Sequence, residues 1–265
     1  MGRRTGSLFV IGALLAAASA GAQQPHAPRT HIPNVMDAVL GGGNSPEIST
    51  AELGWALREN AAVVLDARPY DEYAVSHIPG ARAVRGKPGT TPALYVADVA
   101  HILESLPDRD QALILYCNGV YCGRSERFAE DLANAGYRNV IRYQLGAPGW
   151  RALGGVMQVE KPALLRLLEQ DKTALLIDGR SQPGGKVRLR GAVAIPAAEA
   201  AKAKDDGRLP MTDHNTRIFV AAETGEEARK VAEAIVRDAF HNVSFFDGTI
   251  ADLGELQEEA APSES

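Results

Sequence analysis

The chain has 265 residues, with 33 acidic side chains against 28 basic ones and a formal charge of −5. Hydrophobic residues make up 45% and charged residues 23%, an ordinary balance for a globular chain with room for one large domain or two. No stretch is basic enough to form a nucleic-acid footprint, so that partner class is set aside.

Residues 1–22 have the three-part grammar of a secretory signal peptide. Arg3 and Arg4 form a positive start, "SLFVIGALLAAASA" is a short apolar run, and Ala20 to Ala22 offer a small-residue cleavage site. The run is too short to span a bilayer comfortably, although an uncleaved anchor is the alternative reading. Gly6 and Ser7 follow the arginine pair where the twin-arginine route expects a bulky apolar residue. The mature protein is expected to be periplasmic or secreted, with no stable membrane insertion, in a compartment that permits disulfides. Residues 23–46 are rich in Pro and Gly and read as a linker.

Ser49 stands three residues ahead of Glu52, a capping-box spacing that predicts a helix through Leu53 and Leu57. "AVVLDAR" and "ALILYC" are short apolar runs ending in polar residues, which suits strands buried on both faces. "SERFAEDLANAGYRNVIRY" predicts a helix, a stop at Gly136, and a strand from Val140 to Tyr143. Short strands alternating with helices imply an α/β fold built on a mostly parallel sheet flanked by helices.

The second half repeats the first. "KPALLRLLEQDKTALLIDGR" echoes "TAELGWALRENAAVVLDAR", and "RIFVAAETGEEARKVAEAIVRDAFHNVSFFDG" echoes the stretch from Leu113 onward. One duplication of about a hundred residues is too long for a solenoid unit and predicts two domains of one fold. Their expected limits are 47–155 and 156–255, with an acidic, frayed tail at 256–265.

Cys117 and Cys122 are the only cysteines in the chain. Cys117 follows a predicted buried strand, and ligands in open α/β sheets bind beyond the carboxyl ends of strands. The loop Asn118, Gly119, Val120, Tyr121, Cys122, Gly123, Arg124 is small and polar enough to curl, with the two glycines relieving backbone strain. A helix starting near Ser125 would aim its unpaired N–H groups at the loop, favouring anions and the thiolate form of Cys117. Arg124 would add a fixed positive charge at the rim. Against this nucleophile reading stand a small apolar strand end and a disulfide to Cys122. Two cysteines, with His77 and His101 out of ligand spacing, give metal binding poor support.

"LDARPYDEYAVSHIPGA", "LYCNGVYCGRS" and "YQLGAPGW" together resemble a rhodanese domain of the sulfurtransferase superfamily. The motifs are Asp66 and Arg68 at a strand end, Tyr73 before His77 to Ala81, Cys117 after a buried strand, and Gly146 to Trp150. Ala147 stands where the pattern has a second Gly. The resemblance implies a catalytic Cys117 that carries a persulfide, no metal or organic cofactor, and small sulfur anions or thiols as partners, with a periplasmic protein thiol as a further candidate. It gives Asp66, Arg68, His77 and Trp150 supporting roles.

The second copy resembles the same fold without its chemistry. Asp178, Arg180, Gly191 and Ala192 persist, but Ala222 aligns with Cys117, Glu227 with Arg124, and Arg188 with His77. In the family pattern the basic residue lies five positions after the cysteine, or six in phosphatase-like relatives; here it lies seven after. Three functions are therefore expected in order. The first is sulfane transfer from thiosulfate or a persulfide to a thiol or cyanide. The second is thiol–disulfide or redox-sensing work by Cys117 and Cys122. The third is a non-catalytic binding module, with phosphatase or arsenate-reductase chemistry last.

Overall fold

The computed structural model describes residues 45–91, 95–182 and 187–259. The expected signal peptide and nearly all of the expected linker lie outside the described residues. Helix α1 (Thr50–Arg58) opens with the expected capping box. Ser49 Oγ accepts the Glu52 N–H at 3.2 Å, and Glu52 Oε2 accepts the Ser49 N–H at 2.7 Å. Then follow β1 (Val63–Asp66), α2 (Tyr70–Val75), β2 (Arg82–Ala83), α3 (Val99–Ser105), β3 (Leu113–Tyr116), α4 (Arg124–Asn134), β4 (Val140–Tyr143) and α5 (Gly146–Ala152).

These strands form a parallel sheet of order β2-β1-β3-β4. Every residue of β3 is buried, as a strand with both faces covered by helices requires. Helix α4 lays Phe128, Ala129 and Leu132 on the sheet and ends at Gly136, whose φ of 96° is the left-handed turn predicted there.

The second half contains β5 (Met157–Val159), α6 (Lys161–Gln170), β6 (Leu175–Asp178), β7 (Val187–Leu189), β8 (Val193–Ala194), β9 (Ile218–Ala221), α7 (Gly225–Val236), β10 (Val243–Phe246) and β11 (Gln257–Glu259). Its main sheet has the order β5-β10-β9-β6-β8 and is also parallel. The order matches the first sheet strand for strand, with β5 as an added edge. The first half keeps a trace of that edge, because Glu47 bridges Arg142 in parallel as Gln158 pairs with Phe245.

One expectation changes. Residues 257–259, read as part of a frayed tail, pair antiparallel with β7 and are ordered by that ladder. Short helices α2 and α5 occupy segments to which the sequence reading assigned no element, since six or seven residues are too few to show a helical period.

The halves share a packed seam. His77 and Gln158 exchange backbone hydrogen bonds of 2.9 and 2.8 Å, and the Glu160 N–H donates to the Ala74 carbonyl at 2.9 Å. Ala74 packs in one apolar cluster with Leu164, Phe219 and Phe246, while Met157 packs with Ile114, Tyr116 and Tyr143. Each half therefore covers apolar surface that the other leaves open.

Candidate active site at the end of strand β3

Strand β3 lies between β1 and β4, with Tyr116 in register with Asp66 on one side and Tyr143 on the other. Cys117, the next residue, leaves the middle of the sheet at its carboxyl edge and is only 1% exposed. Its carbonyl accepts the Ala147 N–H at 3.0 Å, which ties the loop to the start of α5. This approach requires glycine at 146. Gly146 has φ +61°, and a Cβ there would lie 2.2 Å from the Cys117 carbonyl oxygen and 2.5 Å from the Gly119 nitrogen.

The loop turns at Gly119, with φ +97°, and the Cys122 N–H donates to the Gly119 carbonyl at 2.9 Å. That N–H is spent on the turn rather than on a ligand. Gly123 caps α4 with φ −71° and has open space around it, so the expected need for glycine holds at 119 and not at 123. No side chain caps α4, which leaves the positive end of its dipole facing the loop.

Cys117 and Cys122 are joined in a disulfide, with Cα atoms 6.2 Å apart. The expected Cys117 thiolate is therefore absent from this form, because its sulfur is already bonded. Cys122 is half-buried, whereas Tyr121 is 82% exposed and does not wall a pocket. Val120 is half-buried and Asn118 is exposed.

Beneath the loop, Asp66 and Arg68 form a buried fork. Arg68 Nε donates to Oδ1 and Oδ2 at 2.9 and 3.0 Å, and Nη2 donates to Oδ2 at 2.5 Å. Arg68 Nη2 also donates to the Ser76 carbonyl at 2.7 Å, and the guanidinium lies 5.6 Å from the Tyr116 ring centre. Burial works against its charge, yet the hydrogen bonds and negative charge of Asp66 outweigh it and hold its pKa above the ordinary value. The pair organises the strand end.

His77 is fully buried and stacks on Tyr73, with ring centres 3.8 Å apart. Its Nδ1 pairs with the Tyr73 carbonyl at 3.0 Å, which assigns the proton to Nδ1. Burial pushes its pKa down to about 4. Trp150 Nε1 donates to the Val156 carbonyl at 2.9 Å, placing the indole against the join of the two halves.

One residue that sequence reading missed controls the rim. Glu72, on α2, accepts a hydrogen bond from Asn118 Nδ2 and lies 3.4 Å from Arg124 Nη1. The positive charge expected of Arg124 at the rim is thus paired with a carboxylate. Glu72 is 45 residues upstream of Cys117, inside the quoted stretch "LDARPYDEYAVSHIPGA" but not among its motif positions, so the fold is what brings it here.

The corresponding place in the second half is built differently. Ala222 follows β9 and is fully buried, and an alanine has no sulfur to offer. Thr224 caps α7 by accepting the Glu227 N–H at 3.2 Å, while Glu227 Oε1 accepts the Ser181 N–H at 3.0 Å. Among the described residues, no group of three His, Cys, Asp or Glu side chains comes together to hold a metal ion. Also among the described residues, no helix is long and apolar enough to cross a membrane.

Comparison with known proteins bears on the first half. Residues 49–153 match the family model for the rhodanese-like domain. An HTH-type transcriptional regulator of Mycobacterium tuberculosis is 32% identical over 126 residues, 47% of this chain and 50% of its own. The chain thus spans half the length of that curated relative. Similar solved structures include a thiosulfate sulfurtransferase from Pseudomonas aeruginosa, at 18% identity and a TM-score of 0.35, covering 82% of this chain and 44% of that one. Another is a 3-mercaptopyruvate sulfotransferase from Escherichia coli, at 18% identity and a TM-score of 0.36, covering 77% of this chain and 98% of that one. Over residues 49–153 the chain is thus similar to the rhodanese-like domain family.

Proposed function

We propose that the reduced protein is a sulfurtransferase working through a Cys117 persulfide. The observation that carries this reading is the placement of Cys117 at the carboxyl end of a central buried strand, facing the uncapped start of α4. The thiolate attacks the outer sulfur of thiosulfate, the sulfur–sulfur bond breaks, and sulfite leaves with the electron pair. A persulfide donor would react in the same way and leave as a thiolate. The dipole of α4 and the Arg124 guanidinium stabilise the anionic sulfur. A thiol or cyanide then takes the outer sulfur. No step calls on a metal or organic cofactor. The second half buttresses the seam through Ala74 and Met157 and carries no cysteine of its own. Export to a periplasmic or extracellular compartment, with cleavage after Ala22, accords with a disulfide at this site. There a protein thiol is a natural partner.

The test is intact-mass measurement of the reduced Cys122→Ser protein, in which Cys117 is the one thiol left, after incubation with thiosulfate. The expected result is a gain of one sulfur that is abolished in Cys117→Ser. No gain, or a gain that survives the substitution, rejects the assignment.

The disulfide favours a second reading, in which the pair exchanges electrons with other thiols and never carries sulfane sulfur. Thiol titration after mild oxidation separates the two. Two free thiols throughout would exclude that reading.

A further inference from the structure

We propose that Cys122 resolves the Cys117 persulfide internally, so that the protein releases the transferred sulfur as hydrosulfide. The inference rests on the sulfurtransferase reading and extends it to the fate of the sulfur.

The loop is built to bring the two sulfurs together. Buried residues Ser125, Phe128, Ala129 and Leu132 of α4 have the same spacing as Ala228, Val231, Ala232 and Ile235 of α7. Superposing those faces puts Arg124 opposite Glu227. Arg124 lies seven residues after Cys117, whereas Glu227 lies five after Ala222. The extra length in the first half makes room for the Gly119–Cys122 turn, closed by its 2.9 Å backbone hydrogen bond. The turn returns the chain over Cys117 and sets Cys122 against it, where the disulfide joins them. Cys117 is 1% exposed in this arrangement, so an external thiol must displace the loop to reach it. Cys122 already stands there, and a neighbour on the same turn outcompetes a dilute acceptor.

The step balances without an outside oxidant. The Cys122 thiolate attacks the Sγ atom of Cys117, and the bond from that Sγ to the outer sulfur breaks. The electron pair leaves on the outer sulfur, which departs as hydrosulfide, and the Cys117–Cys122 disulfide remains. Over both steps, thiosulfate and two thiols become sulfite, hydrogen sulfide and one disulfide. The outer sulfur is reduced and the two cysteines are oxidised. The structure is the endpoint of that sequence. A dithiol reductant then reopens the pair for another round.

The experiment uses full-length chain, reduced with a dithiol, freed of it under anaerobic conditions, and mixed with thiosulfate alone. The wild type should release about one sulfide per chain in a single burst and end as the disulfide. Cys122→Ser and Cys122→Ala should each retain one added sulfur and release no sulfide. If the wild type keeps its added sulfur without forming the disulfide, or the Cys122 variants release as much sulfide as it does, the inference is overturned while sulfane transfer stands. If no form gains sulfur or yields sulfide, sulfane transfer itself fails.

Discussion

Glu72 and Arg124 face each other across the mouth of the Cys117 loop, Oε1 to Nη1 at 3.4 Å, and the other Glu72 oxygen holds Asn118. An anionic substrate must share or displace this carboxylate to reach Arg124.

In Glu72→Gln, Arg124 gains freedom to meet the substrate and a repelling charge disappears. Both partners are more than a third exposed or close to it, so solvent screens the pair and its contribution is small. The KM of the reduced protein for thiosulfate should fall about two- to fivefold, with kcat little changed. The gain should shrink as salt is added. Steady-state sulfite release at two ionic strengths checks this, and an unchanged KM rejects the competition.

Gly146→Ala tests the join between the loop and α5. Its Cβ would meet the Cys117 carbonyl oxygen at 2.2 Å, against backbone that cannot rotate away, at a φ of +61° that alanine rarely adopts. The variant should lose about 1–3 kcal/mol in urea unfolding, and its sulfur uptake should fall because the loop is pushed outward. Gly123→Ala, with open space and φ −71°, should leave both unchanged.

The contrast between these glycines shows what the sequence made legible. The three buried strands β1, β3 and β4 were readable as apolar runs, the α1 start from its capping box, and the α4 stop from Gly136. The duplication was readable too, because both copies need the same pattern of buried positions. Position 117 was legible because the strand, the polar loop and the helix are contiguous. What was not legible depends on distant chain. Gly119 and Gly123 look alike in the sequence, and only their φ angles separate them. Glu72 acts on Arg124 from 52 positions away. Helices as short as α2 offer too little periodicity to reveal the face that would carry such a residue.

Asp66 and Arg68 form an ion pair whose side chains are 0% and 5% exposed. Removing one partner strands the other in a medium that solvates charge poorly. Asp66→Ala should cost about 3–5 kcal/mol, whereas the apolar pair Asp66→Leu with Arg68→Met should recover much of it. At the matching Asp178–Arg180 pair, Arg180 is 11% exposed and its loss should be milder. Urea unfolding of the single and double variants checks the order. A double change at residues 66 and 68 that costs the sum of the two single changes would mean that the charges do not depend on each other.

His77 makes the seam between the halves sensitive to acid. It is fully buried, with Tyr73 stacked on it, Glu160 Oε1 3.8 Å from Nε2, and Asp66 and Arg68 nearby. Burial, the largest cause, lowers its pKa from 6.5 to about 4 in the folded protein. As pH falls from neutrality, the unfolded chain therefore takes up the proton first. Stability from this group is full above about pH 6.5 and drains away down to about pH 4, to a total of about 3 kcal/mol. Glu160 opposes part of the loss. Burial and Asp247 raise its pKa, so the folded state binds that proton more readily. His77→Asn keeps a side-chain N–H for the Tyr73 carbonyl and cannot titrate. Its urea midpoint should fall less than that of the wild type between pH 6.5 and 4.5, with the carboxylates common to both proteins cancelling in the comparison. Parallel curves would show that the imidazole stays out of the acid response of the seam.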